Sequence, residues 1–159
     1  MADITNEQAW QWLEDIKDPE IPSVSIVDMG MVLDVETKST GETVIYMVPT
    51  FVGCPALEMI KRQIITYFTS KEVQKVEVFF SFSIPWSSAH ITERGRENLK
   101  KHGIAPPPRD FKLGDPWTVQ CPYCQSSKTV IDNVFGPTAC RSILYCSSCK
   151  NPFEAIKPI

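Results

Sequence analysis

The sequence predicts an α+β protein: a small two-layer domain with helices packed on one face of a short mixed sheet, plus a C-terminal zinc-ribbon module. Three observations lead there. Apolar residues recur at helical spacing in two segments and alternate with polar ones in others. A proline run, Pro106-Pro107-Pro108, interrupts the chain. Beyond it stand two Cys-x-x-Cys pairs, Cys121 with Cys124 and Cys146 with Cys149. With 159 residues and 43% hydrophobic content, the chain suffices for one ordinary core and a small appendage.

Thr5 caps the first helix, with Gln8 three residues on as its capping-box partner, and Ala9, Trp10, Leu13 and Ile16 follow at helical spacing. Asp18-Pro19 ends it, because proline disfavours helical geometry at the residue before it. Glu20 to Gly30 is a compact turn-rich stretch with a glycine stop. Met31 to Thr37 and Thr43 to Val48 alternate apolar and polar residues, and Ser39-Thr40-Gly41-Glu42 between them makes a hairpin. After Cys54-Pro55 comes an amphipathic helix with Leu57, Ile60, Ile64 and Phe68 on one face. Pro55 suits its first turn, where the missing N–H costs nothing. Lys75 to Ile84 alternates and forms a third strand. Thr92 to His102 is helix-prone although it carries Gly95.

The expected organisation is a first domain over residues 1–103, a Pro-rich linker over 104–116, stiff and extended, and a four-cysteine ribbon over 117–159. Within the ribbon, Lys128 to Val134, Ser142 to Tyr145 and Phe153 to Ile156 read as strands. So short a unit cannot bury enough apolar surface to fold alone, so a metal should supply much of its folding free energy.

A two-residue gap lets both sulfurs of a pair turn toward one point, and two such hooks supply four thiolates for tetrahedral Zn²⁺. Cys121, Cys124, Cys146 and Cys149 are therefore the expected ligands of a structural zinc ion. The bland alternative is a pair of disulfides or four free thiols. Cys140 is surplus to a four-ligand count, and is either a spectator or a substitute for one of the four.

The start of the chain is polar and acidic, unlike a secretory or transit peptide, and no apolar run approaches the ~20 residues of a spanning helix. A reducing, cytoplasmic setting is the expectation, with no membrane partner, and there thiols bind metals more often than they form disulfides. Net charge is −3, and from Val119 onward four basic side chains face two acidic ones. That falls well short of the electrostatic footprint of a nucleic-acid binder.

Cys54 is the second informative cysteine. It stands where a glycine-containing loop meets the start of a helix, and the unpaired N–H groups and dipole of a helix N-terminus favour a thiolate. It is a candidate nucleophile or metal ligand, set against the reading of a buried structural cysteine. A cysteine hydrolase needs an activating histidine. The chain has only His90 and His102, neither with an evident orienting partner. Asp18, Glu20 and Asp28 lie in turn-rich sequence, where caps and Asx-turns are the commoner use, and Thr50 ends a strand. Around a thiolate, such carboxylates and a hydroxyl can hold a transient metal ion.

Asp18-Pro19-Glu20-Ile21-Pro22, then Ile26-Val27-Asp28-Met29-Gly30, then Pro49-Thr50-x-x-Gly53-Cys54-Pro55 resembles the MIP-eighteen/SufT-like family of iron–sulfur assembly factors. Three signatures in order cover roughly the first hundred residues, with Met29 where leucine is common. The tail, from Ile91-Thr92-Glu93-x-Gly95-Arg96 through Cys121-Pro122-x-Cys124 and Phe135-Gly136-x-Thr138-Ala139-Cys140 to the final pair, is similar to the PaaD-like proteins of bacterial phenylacetate degradation. The resemblance implies an accessory factor encoded with the multicomponent phenylacetyl-CoA epoxidase, which helps mature its metal centres without turning over substrate. The implied partners are the reductase, with flavin and a [2Fe–2S] cluster, and the di-iron oxygenase. On the resemblance Cys54 is the functional thiol, with Asp18, Glu20 and Thr50 as matching motif positions, and the cargo is iron or an iron–sulfur cluster, held transiently.

One cysteine cannot hold a cluster alone, so a homodimer, the client or a small thiol completes the shell. A second reading makes the protein a rubredoxin-like electron-transfer subunit with iron in the four-cysteine site. Against it, rubredoxin knuckles usually carry glycine after the second cysteine, where Gln125 and Lys150 stand here.

Overall fold

In the computed structural model, which describes residues 4–159, the chain divides into two compact units, one ending at Trp86 and the other running from Ser87 to Ile159. The first unit contains α1 (Asn6–Glu14), β1 (Val32–Thr37), β2 (Glu42–Met47), α2 (Ala56–Ser70) and β3 (Lys75–Phe80). Its sheet has the order β1-β2-β3, with β1 antiparallel and β3 parallel to β2, so it is mixed, as the sequence leads one to expect. The parallel pairing follows from α2, which serves as the crossover that two parallel strands require.

The capping box on α1 forms: Gln8 N donates to Thr5 Oγ1 at 3.2 Å, and Thr5 N to Gln8 Oε1 at 3.0 Å. The helix stops at Glu14, four residues before the Asp18-Pro19 signal. The chain beyond it is already committed to other bonds. Ile26 N donates to Ile16 O at 3.0 Å, and Lys17 bridges antiparallel to Ser25. Leu13 from α1, Ile60, Ile64 and Phe68 from α2, and Val35, Ile45 and Met47 from the sheet are buried together. Trp12 meets Phe68 edge-on, with ring centroids 5.4 Å apart. The stretch between α1 and β1 has no regular structure, yet Ile21, Val24, Ile26, Met29 and Met31 are all buried. At roughly 2 kcal/mol for each large apolar side chain, this loop is held by the same force as the helices.

The second unit holds a 3₁₀ turn (Ser88–His90), α3 (Glu93–Lys101), β4 (Ile104–Ala105), β5 (Thr129–Asn133), β6 (Arg141–Cys146) and β7 (Pro152–Ile156). Its sheet has the order β4-β7-β6-β5, with β4 parallel to β7 and β6 antiparallel to both its neighbours. Here the structure departs from the expected 1–103, 104–116 and 117–159 division. Ile104 and Ala105 are not linker but a buried edge strand, and α3 belongs with the ribbon. Two features bind them in. Gly103, at φ +73°, turns the end of α3 directly into β4. Arg96, only 6% exposed, donates from Nη1 to Pro107 O and from Nη2 to Ser88 O, both at 2.6 Å, tying the proline run to the helix. Burial without a carboxylate partner lowers the pKa of that guanidinium.

Candidate functional site

In the second unit the two Cys-x-x-Cys segments fold into matching knuckles. Gln125 N donates to Cys121 O and Lys150 N to Cys146 O, both at 2.9 Å. Cys121 N donates to Ser126 O at 2.9 Å and Cys146 N to Asn151 O at 3.0 Å, the same bond in each loop. Gln125 and Lys150 take the left-handed φ values of 60° and 63°. So the knuckle turn forms without the glycine that usually occupies it. A hydrogen bond of 2.8 Å between the Ser126 and Ser148 hydroxyls joins the two turns.

The knuckles bring the sulfurs of Cys121, Cys124, Cys146 and Cys149 within 4.8 Å of one another. Cys121 and Cys149 are 3.7 Å apart at Sγ, Cys124 and Cys146 3.5 Å. Tetrahedral Zn–S bonds of about 2.3 Å require sulfurs about 3.8 Å apart, whereas a disulfide requires about 2.05 Å. No disulfide joins any of the six cysteines, which removes the disulfide alternative, and the four-sulfur set fits a metal ion. Hydrogen bonds from the Asn151 side chain and backbone hold the Cys149 thiol down at about 6. Backbone N–H groups of Cys149 and Ser148 lower that of Cys146. At Cys124 a backbone bond from Ser126 works downward, but burial and the other three thiols push it up to about 11. Four thiols crowded together resist losing their protons in turn, and a dication relieves that conflict. Cys121 and Cys146 are fully buried in the unit's core with Ala105, Val119, Leu144, Phe153 and Ala155.

Cys140 does not belong to this cluster. It precedes β6, whereas Cys146 ends it, and six residues of strand put them about 20 Å apart. It therefore cannot replace any of the four ligands. Its sulfur lies 3.2 Å from Thr138 Oγ1.

In the first unit, three loops leave the same end of the sheet. Residues 18–31 feed into β1, residues 48–55 leave β2, and residues 81–86 leave β3, which runs parallel to β2. Val48 N donates to Met31 O at 2.8 Å, Ser81 N to Met47 O at 2.7 Å, and Trp86 Nε1 to Met29 O at 2.8 Å. The topology thus brings Thr50 and Cys54 to the end where Met29 and Met31 are bonded, while Asp18 and Glu20 lie earlier in the loop that feeds into β1. Thr50 is 9% exposed at the end of the β2 segment, and Cys54 is half-buried, neither entombed nor fully open. Cys54 N closes a turn onto Phe51 O at 3.2 Å, with Gly53 at φ +85°, and Pro55 caps α2 with helical dihedrals instead of joining its first turn.

The carboxylates serve the loop as well. Asp18 Oδ1 accepts from Glu20 N at 2.8 Å and Ile21 N at 3.1 Å, an Asx-turn that shapes the segment. Asp28 is 4% exposed, and its backbone N–H donates to Ser25 Oγ at 3.0 Å. What sequence reasoning missed is the apolar surface beside these residues: Val52 is 73% exposed and Phe82 63%. Val52 lies in a loop with no period to register, and Phe82 falls within the alternation that reads as strand up to Ile84 although β3 ends at Phe80.

Comparison with known proteins matches both units. The iron–sulfur cluster assembly protein family matches residues 6–78, and the PaaD zinc beta ribbon domain matches residues 105–157. The chain is 37% identical, over 96% of its length and 92% of the relative's, to an Escherichia coli (strain K12) protein named as one of the subunits of a "Putative 1,2-phenylacetyl-CoA epoxidase". It is 33% identical to the "Fe-S protein maturation auxiliary factor YitW" of Bacillus subtilis (strain 168), over 55% of this chain and 85% of that one. A Bacillus anthracis domain-of-unknown-function (DUF59) crystal structure superposes with a TM-score of 0.56 at 29% identity, covering 59% of this chain and 90% of that one. A Thermotoga maritima structure, TM0487, gives 0.54 at 26% identity, covering 62% and 98%. With an iron–sulfur cluster assembly domain followed by a PaaD zinc ribbon, and with this match over nearly its whole length, the chain belongs to the PaaD family.

Proposed function

We propose that the protein is a non-catalytic maturation factor that assists iron or iron–sulfur centre assembly in the phenylacetyl-CoA epoxidase complex, in the cytoplasm. Cys54 is the thiol that handles the metal, and Asp18, Glu20 and Thr50 furnish its surroundings. Cys121, Cys124, Cys146 and Cys149 hold a structural zinc ion that makes the ribbon a rigid module. The clients are the reductase or the di-iron oxygenase of that complex.

The observation that carries this reading is the placement of Cys54. A half-buried thiol stands at the N-terminal end of a 15-residue helix, at the sheet end where Val48 N donates to Met31 O. A helix N-terminus favours negative charge on that sulfur, and soft thiolate suits iron and iron–sulfur units. A single protein ligand binds such cargo loosely enough to release it. The division of labour is consistent with the names of the relatives, since the maturation auxiliary factors match over only 55% and 60% of this chain.

The test is co-expression of the reductase or oxygenase with wild type, Cys54→Ser or Cys121→Ser, followed by metal analysis of each purified protein. Cys54→Ser should fold and keep its zinc, yet leave the client deficient in iron. Cys121→Ser should lose its own metal. Normal iron content in clients made beside Cys54→Ser would refute the assignment. Colour separates the metals in the ribbon, because a zinc tetrathiolate is colourless and a ferric one is red.

A further inference from the structure

Each Cys-x-x-Cys hook of the ribbon closes on its own backbone bonds, and side chains then fasten the two hooks to each other. Ser126 stands two residues after Cys124, and Ser148 two residues after Cys146. Each lends its backbone N–H to the sulfur of the cysteine before it, Ser126 to Cys124 and Ser148 to Cys146. Those two sulfurs come from different hooks and are 3.5 Å apart. The hydroxyls of the same two serines meet at 2.8 Å, across a sequence separation of 22 residues. Ser126 Oγ also accepts from Lys128 N at 3.1 Å, and Lys128 O accepts from Ser147 N at 2.9 Å. Both hooks are therefore anchored on the residue that leads into β5.

Cys121 and Cys146 are buried and Cys149 is half-buried, but Cys124 is exposed. Cys124 is the ligand that a proton or a competing chelator reaches first. An N–H donor on a thiolate is a charge-assisted bond, and it acts only while the turn that carries it keeps its orientation. Groups behind the ligands in this way set how firmly a metal is kept. We propose that the Ser126–Ser148 hydroxyl pair is a latch that positions both amide donors on the Cys124 and Cys146 sulfurs and slows loss of the ribbon's metal. With the pair broken, the first hook is free to carry Cys124 away from the other three sulfurs. The inference rests on the reading of the quartet as a resident zinc site, and it adds which residues beyond the four ligands retain the ion. In a protein that hands on iron through Cys54, such retention keeps the structural ion separate from the cargo.

The test loads the full-length protein with Zn²⁺ and follows its transfer to an excess of pyridylazoresorcinol, a chelator that colours on binding it. Ser148→Ala should release zinc about tenfold faster than wild type, the low end of what removing a partner behind the ligands costs. Ser147→Ala, in the same hook but outside the hydroxyl pair, should match wild type. Ser148→Thr, which keeps a hydroxyl, should restore slow release. Ser126→Ala should also speed release, and adding Ser148→Ala to it should change nothing further, because the pair is already broken. With Co²⁺ in place of zinc, Ser148→Ala should shift the sulfur-to-metal charge-transfer absorption, which responds to N–H bonds on the sulfurs. Its far-UV circular dichroism should remain that of wild type. Release from Ser148→Ala at the wild-type rate overturns the latch, as does an effect that persists undiminished in the Ser126→Ala background. Faster release with an unmoved absorption band overturns the positioning role. A wild-type protein that takes up neither Zn²⁺ nor Co²⁺ overturns the reading of the quartet itself.

Discussion

Gly53 and Gly136 illustrate two different reasons for having no side chain. Gly53 has φ +85°, and a Cβ built there meets nothing within 4 Å. Only backbone conformation resists substitution, so Gly53→Ala should cost about 1 kcal/mol, and Gly53→Asn less, because asparagine tolerates the left-handed region. A Cβ at Gly136 would lie 2.7 Å from the backbone oxygen of Arg141, at the tip of the β5–β6 hairpin where Gly136 N donates to that same oxygen. Backbone cannot step aside as a long side chain can. Gly136→Ala should therefore destabilise the second unit by about 3 kcal/mol, at the upper end of overpacking costs. Urea titrations of the metal-loaded variants check both values. Equal effects would mean that the Gly136 hairpin relaxes freely. The distinction also concerns function, since Gly53→Ala strains the turn that presents Cys54, whereas Gly136→Ala leaves that turn untouched.

At the scale of elements, a local signal held wherever its hydrogen bonds are local. The Thr5–Gln8 capping box was legible in the sequence and forms as written, so Thr5→Ala should cost about 1 kcal/mol in a urea titration of the first unit. A cost near zero would show the first turn of α1 frayed in the native state. The amphipathic stripe of α2 and the β1–β2 hairpin were legible for the same reason, and so were the ribbon strands to within a residue or two. Pairings over long sequence separation were not. Nothing in Lys75 to Phe80 says that it runs parallel to β2, and its alternation continues to Ile84 although the strand ends at Phe80. Ile104–Ala105 is two residues long beside a proline triplet, too short for any period to register, and it becomes a strand only because β7 offers a free edge. For the site, the clustering of the four ribbon cysteines was legible from spacing alone. The joining of the Met29–Met31 segment to the end of β2 depends on the hydrogen bonds from Val48 to Met31 and from Trp86 to Met29, which no window of sequence contains.

The molecule as a whole combines two units stabilised by different means. The first has an apolar core of three strands and two helices, which supplies its stability without a metal. The second places two of its four clustered cysteines, Cys121 and Cys146, among its few fully buried core residues. Without the metal that core contains a cluster of thiols in place of a bonded centre. Structural zinc sites contribute about 10 kcal/mol or more, so loss of the ion should unfold the ribbon outright. Chelation of the full-length protein should release one equivalent of metal per chain and abolish one of two thermal transitions. The other should keep its midpoint. Trp117 packs against the ribbon core while Trp10, Trp12 and Trp86 belong to the first unit, so a Trp117→Phe variant separates the two in fluorescence. The red shift on chelation should vanish in that variant. Cys121→Ser should resemble the chelated protein without any treatment, and Cys54→Ser should resemble wild type. If chelation abolishes both transitions together, the units fold as one cooperative body, and the ribbon is then part of the scaffold that presents Cys54.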